Sequence, residues 1–176
     1  HQPRSGVVTI DEFGFDYDGN VDSRTADLLR LAKEMNPEMK IGVWQMRGPV
    51  APKLAGAYRD VVDIVLMETY VGSNDLWAIG MQLKAAELNG LGDRSIVGLG
   101  AGRCARDHVN WATTKEEMEE QMRFVRLIAP NSPGVGFFAV GGNMETQPIT
   151  LSGIDEICSR WDQLPTDGRG LRPELF

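Results

Sequence analysis

The sequence predicts an α/β fold with a parallel sheet, because five short apolar runs alternate with segments of helical patterning. Such alternation joins parallel strands, whose carboxyl ends lie along one edge of the sheet, where α/β proteins place their sites. Each run ends in residues that can do chemistry or in glycines. In chain order the runs are Val7–Asp11, Ile41–Trp44, Ile64–Met67, Ile96–Leu99 and Val135–Val140.

The helices between these runs have recognisable start and stop signals. Ser23 is a favourable N-cap for the first helix, which ends at Asn36-Pro37 because the residue before proline disfavours helical dihedral angles. Thr114 and Glu117 form a capping-box pattern at the start of the fourth helix. The predicted helices span about 23–36, 52–59, Leu76–Leu88, 114–129 and 152–163, and the longest loop spans 101–112.

Composition excludes several classes of protein. The chain of 176 residues has 42% hydrophobic residues and a net charge of −7, which argues against nucleic acid as a partner. No apolar run is long enough to cross a membrane, and two cysteines make neither a disulfide framework nor a zinc signature. We expect one domain over residues 1–164 and a surface tail over 165–176.

Two architectures fit five βα units in this length. The first is part of a (β/α)₈ TIM barrel, which needs about 250 residues when complete. The alternative is a flavodoxin-like open sheet, in which the second strand would lie outside the first. The chain starts at His1 without Met and reaches a strand by Val7, so we expect a piece of a longer protein. A partial barrel exposes apolar surface, so we also expect self-association or a missing amino-terminal half of the barrel.

Two carboxylates are the leading catalytic candidates. Glu12 and Glu68 each follow an apolar strand, and the two strands are separated by one other. Adjacent strands lie about 4.8 Å apart, so these carboxyl groups start roughly 10 Å apart, and curvature would shorten the distance. Glycoside hydrolysis uses two carboxyl groups separated by about 5 Å or about 6.5–9.5 Å. Asp11 is an alternative to Glu12, or it binds loop amides and holds Glu12 in place. For Glu12 and Glu68 the alternative is a structural ion pair with Arg47 or Arg103.

Further polar and aromatic residues follow the same strand ends. A Trp side chain offers a flat apolar face to a sugar, and amide, guanidinium and hydroxyl groups offer hydrogen bonds to its hydroxyls. The candidates for substrate binding are Trp44, Gln45, Arg47, Tyr70, Arg103 and Asn143.

Three segments resemble those of chitinase-like barrels. They are Val7-Val8-Thr9-Ile10-Asp11-Glu12-Phe13-Gly14, Val65-Leu66-Met67-Glu68-Thr69-Tyr70 and Gly136-Phe137-Phe138-Ala139-Val140-Gly141-Gly142. They are similar to the fourth, sixth and last strands of those enzymes, so the chain resembles the carboxyl-terminal part, about strands four to eight, of a barrel glycoside hydrolase. Ser5, Val8 and Ile10 stand where the D-x-x-D-x-D-x-E motif has aspartates. The resemblance therefore implies a generic barrel glycosidase with Glu12 in the place of the acid.

The predicted function is that of a carbohydrate-active hydrolase with a saccharide substrate. The alternative is a non-catalytic barrel fragment or sugar-binding module. Segment 16–22 has no glycine at the EF-hand position and no final glutamate, and the glycines at 98–102 do not match G-x-G-x-x-G. No metal or other cofactor is predicted. The compartment is not determined, although a glycosidase whose leader was removed would be secreted or periplasmic.

Overall fold

The structure, a computed structural model, describes residues 7–13, 23–45, 50–70, 75–101, 103–104, 109–110, 114–138, 151–169 and 171. Within them, the side chains of residues 7, 11–13, 23, 103–104, 109–110 and 151 lie outside the description. The strands are β1 (Val7–Phe13), β2 (Lys40–Gln45), β3 (Ile64–Thr69), β4 (Ser95–Gly100), β5 (Arg103–Cys104), β6 (Val109–Asn110) and β7 (Val135–Phe138).

Five of these strands form one parallel sheet in the order β1-β2-β3-β4-β7. This sequential order confirms the prediction of a partial (β/α) barrel and excludes the flavodoxin-like order. Among the described strands, β1 and β7 do not pair, so the sheet that they form is open. Strands β5 and β6 pair antiparallel in the segment predicted as a loop, and two-residue strands are too short to show a period-two pattern in sequence.

Helices follow the strands of the parallel sheet as predicted, with small shifts at their ends. They are α1 (Ser23–Met35), α2 (Pro52–Tyr58), α3 (Leu76–Leu88), α4 (Lys115–Ile128) and α5 (Leu151–Cys158). The predicted capping box is present, since the Glu117 amide donates to Thr114 Oγ1 at 3.1 Å and the Thr114 amide donates to Glu117 Oε2 at 3.2 Å. The last helix ends earlier than predicted, and a short 3₁₀ turn over Trp161–Gln163 follows it.

The helices of the described chain cover one face of the sheet. Alternate strand residues point to this face and are fully buried there with the apolar sides of the helices. None of these helices is long and apolar enough to cross a membrane. Six strand side chains on this face have no exposed surface: Ile41, Val43, Val65, Met67, Val97 and Leu99.

A charged cluster joins α1, β2 and β3 at the amino ends of the strands. Lys33 Nζ donates to Asp63 Oδ2 at 2.6 Å, Lys40 Nζ donates to Asp63 Oδ1 at 3.1 Å, and the Ile41 amide donates to Asp63 Oδ2 at 2.9 Å. Desolvation raises the pKa of Asp63, but the three hydrogen bonds outweigh it and lower the pKa to about 2. The carboxylate therefore stabilises this end of the sheet in its charged form.

We predict that Asp63→Asn lowers the free energy of unfolding at pH 7 by ~1–2 kcal/mol, a value reduced for solvent screening. Because the pKa of Asp63 is lower in the folded state, its contribution is complete above the ordinary aspartate pKa. It is lost as the pH falls toward about 2. Urea denaturation at pH 7 and at about pH 2 measures both effects.

Asp60→Asn is the matched control, because Asp60 is largely exposed and its carboxylate lies 3.7 Å from Arg59 Nε. An equal loss of stability in the two variants at pH 7, or a loss in Asp63→Asn that does not shrink in acid, would contradict the role of the cluster.

Candidate functional site

The face of the sheet opposite the described helices brings two of the predicted site strands together at their carboxyl ends. Trp44 is in register with Leu66 on β3, and Glu68 is in register with Gly98 on β4. Strand alternation places Trp44, Glu68 and Tyr70 on this face, opposite the buried core. All three side chains are half-buried. We call this surface, made of Trp44, Glu68, Tyr70, Gly98 and Phe138, the open face.

Gly98 provides the space in which two of the aromatic rings lie. A Cβ atom at this position would lie 3.5 Å from Tyr70 Cε1 and 3.6 Å from Trp44 Cζ2. Trp44 stands on β2, two strands away from Gly98, so its indole extends across β3 toward β4. Side chains from β2 and from the end of β3 therefore meet above β4 on the open face.

Phe138 is part of this surface although the sequence did not single it out. Its ring stacks on that of Tyr70, with centroids 4.5 Å apart and planes 18° apart. It is 44% exposed, and its partner in register on β4 is Gly100, which has no side chain to separate the rings. The alternation of side chains along β7 could have predicted this position, because Phe138 lies on the same side of the strand as Gly136.

Gln45 lies on the other side of the sheet from Glu68. Its side chain is 3% exposed, and Tyr58 on α2 donates its hydroxyl to Gln45 Oε1 at 2.9 Å. Burial raises the pKa of the Tyr58 hydroxyl above its usual range, so the hydroxyl stays protonated and remains a donor. The predicted substrate-binding role of Gln45 has no support from this placement, since the structure shows it in the helix-facing core.

The other candidates fall wholly or partly outside the described structure. Glu12 and Asp11 lie within β1, and Arg103 lies within β5, but the described part of each residue is its backbone. Arg47 and Asn143 lie outside the described residues. Between Ile10 and Phe13 the register of β1 shifts, with three steps on β1 matching two on β2. Simple alternation therefore does not separate Asp11 from Glu12, and their roles stay predictions.

A buried amide on α3 contacts the backbone of Glu68. Gln82 Nε2 donates to the Glu68 carbonyl oxygen at 3.0 Å, and the Gln82 side chain is 7% exposed. Sequence reasoning missed this residue. The available signal was a single amide among the apolar core positions of α3. Among the described residues, no group of three or more His, Cys, Asp or Glu residues could hold a metal ion.

Comparison with known proteins supports the fold. No protein-family model matches the sequence, and no curated protein matches it either. Among solved structures, the chain is similar to active domain 2 of a thermostable chitinase from Pyrococcus furiosus, solved as catalytic-site mutants with chito-oligosaccharides. The TM-score is 0.62 at 11% identity, over 89% of this chain and 60% of that one. The chain thus has a glycoside hydrolase-like fold and spans about 60% of the length of that neighbour.

We predict that Gly98→Ala destabilises the protein by ~1 kcal/mol through overpacking. The new Cβ would lie 3.2 Å from the Met67 carbonyl oxygen, which belongs to the adjacent strand and cannot turn away. Thermal unfolding measures the change.

Gly56→Ala is the control, because Gly56 lies within α2 and a Cβ there would meet no atom within 4 Å. Alanine favours the helix, so this variant should be neutral or more stable. Equal stability of Gly98→Ala and the parent protein would mean that the open face is not packed as described.

Proposed function

We propose that the open face is a saccharide-processing site in which Glu68 is one of two carboxyl groups that act on a glycosidic bond. The observation that carries the proposal is the position of Glu68, a half-buried residue near the end of the central strand, on the same face of the sheet as three aromatic side chains. Aromatic faces suit the apolar face of a sugar ring, and a carboxyl group suits proton transfer or nucleophilic attack.

The second carboxyl group in this proposal comes from β1, as Glu12 or Asp11. In glycoside hydrolysis one carboxyl group protonates the leaving oxygen, while the other activates water or attacks the anomeric carbon. Strands β1 and β3 are separated only by β2, so their ends can stand on two sides of one bond. The chitinase neighbour, whose structure contains chito-oligosaccharides, adds support at the level of the fold.

We predict that Glu68→Gln reduces turnover of a responsive glycoside by about 10²–10⁴-fold, because the amide can neither transfer a proton nor attack. The measurement is the initial rate on a panel of chromogenic glycosides and chito-oligosaccharides, with thermal unfolding to verify the fold. Glu87→Gln is the control, since Glu87 is exposed on α3 and pairs with Lys84 at 2.6 Å. Unchanged turnover in Glu68→Gln would remove Glu68 from the mechanism.

We further predict that Trp44→Ala weakens saccharide binding by about 5–13-fold, because the sugar loses an aromatic stacking surface worth ~1–1.5 kcal/mol. Isothermal titration with oligosaccharides measures the dissociation constant. Trp77→Ala is the matched control, because Trp77 is 73% exposed on α3 and lies away from the open face. A similar loss of affinity in both variants would contradict a binding role for the open face.

A second candidate function is saccharide binding without turnover. The stacked pair of Tyr70 and Phe138, with Trp44 beside it, favours this candidate because an aromatic surface is sufficient for binding. Two results together would favour this second candidate. The parent protein would bind saccharides with an affinity that depends on Trp44, and it would hydrolyse no glycoside of the panel.

A further inference from the structure

The carboxyl ends of two neighbouring strands are joined to the helix layer by hydrogen bonds that involve buried glutamine side chains. On β2, Gln45 accepts a hydrogen bond from Tyr58 of α2. On β3, the Glu68 carbonyl accepts one from Gln82 of α3. These strand ends carry Trp44 and Glu68, the two residues on which the proposed function depends most. The helix layer therefore contacts the strand ends from behind the open face.

The buried amide of Gln82 makes the protein less stable than an apolar side chain at this position would. It occupies a core position of α3, together with Leu76, Ile79, Leu83 and Ala86, and is almost fully buried. Its Oε1 atom is also buried and accepts no hydrogen bond from the described residues. Burying an amide group with half of its hydrogen-bonding capacity unused costs free energy that an apolar side chain of similar size would not cost.

The one hydrogen bond that Gln82 donates acts at the residue that bears the candidate catalytic carboxylate. It joins the middle of α3 to the end of β3, fourteen residues earlier in the chain. Glu68 is the next-to-last residue of β3, where strand ends open most easily, so a bond at this carbonyl restricts the backbone from which the carboxylate projects.

We propose that Gln82 is a positioning residue that fixes the carboxyl end of β3 and thereby the Glu68 carboxylate. The proposal rests on the proposed function for its catalytic consequence, but the restraint on β3 stands on the hydrogen bond alone. Gln82 itself touches no substrate, because it lies on the helix-facing side of the sheet. Its contribution is to the geometry of the reacting group, to which catalysis is sensitive at the level of about 1 Å.

The test compares Gln82→Met with Ile79→Val. Met has nearly the shape of Gln but cannot donate the hydrogen bond, and it also removes the buried amide oxygen. We expect its melting temperature to stay within about 4 °C of the parent. Ile79→Val, one turn away on α3, removes one methyl group from a fully buried side chain and should lower stability without changing any hydrogen bond to Glu68.

The first measurement is amide hydrogen exchange. In Gln82→Met we expect amide exchange in the 66–70 segment to be about 10-fold faster, with exchange in the rest of the sheet unchanged. Local opening of this segment no longer requires the hydrogen bond from Gln82 to be broken. In Ile79→Val any acceleration should follow global stability. Unchanged exchange at 66–70 in Gln82→Met would overturn the proposal, whether or not the protein is a glycosidase.

The second measurement uses the glycoside on which the parent protein is active. In Gln82→Met we expect kcat to fall about 10-fold with KM within about twofold, because binding by the aromatic residues is retained. In Ile79→Val both constants should be unchanged. Faster exchange at 66–70 with unchanged kcat would overturn the positioning role. Absence of activity in the parent would contradict the proposed function instead, and the exchange result would still decide whether Gln82 restrains β3.

Discussion

The burial of one face of a parallel sheet is the constraint on which the rest of the structure depends. The helix-facing side chains of β2, β3 and β4 are fully buried, and side chains alternate with a period of two. A slip of one residue in any of these strands would expose core residues such as Met67 and bring Glu68 into the core instead. The core thus determines which residues lie on the open face, although those residues are not themselves part of the core.

Much of the fold could be predicted because its signals are local. The capping box at Thr114, the bounds of α3 and the five apolar runs are all properties of short segments, and the structure agrees with them. The same period-two rule that places Glu68 on the open face would have placed Gln45 on the helix side. The chemistry of Gln45 and its position at a strand end predict substrate binding, but neither specifies the face to which its side chain points.

The remaining features depend on contacts between distant segments. The hydrogen bond from Gln82 to Glu68 requires α3 to lie against β3 in one particular register, which no local pattern specifies. Phe138 becomes part of the site only because its ring stacks on that of Tyr70, while its neighbour in register on β4, Gly100, has no side chain. The register shift between Ile10 and Phe13 is likewise invisible in a run of apolar and acidic residues.

The two ends of the sheet have different chemistry. At the amino ends, the Asp63 carboxylate is saturated by two lysines and a backbone amide, which suits a group that only stabilises. At the carboxyl ends, Glu68 is half-buried and shares the open face with the aromatic residues Trp44, Tyr70 and Phe138. This division is typical of (β/α) barrels, in which the carboxyl-terminal face carries the site and the opposite face contributes stability.

Curvature also bears on whether two carboxyl groups can act on one bond. In a flat sheet, side chains on β1 and β3 would start roughly 10 Å apart, which is slightly too far even for an inverting pair. The long indole of Trp44 reaches the space above Gly98 from two strands away, but a carboxylate side chain is too short to cover the same separation. A carboxyl group from β1 would therefore come within the inverting range of Glu68 only where the ends of β1 and β3 lie closer together than in a flat sheet. A retaining mechanism would require convergence to about half the flat-sheet distance, so inversion is the outcome that the geometry of this proposal favours.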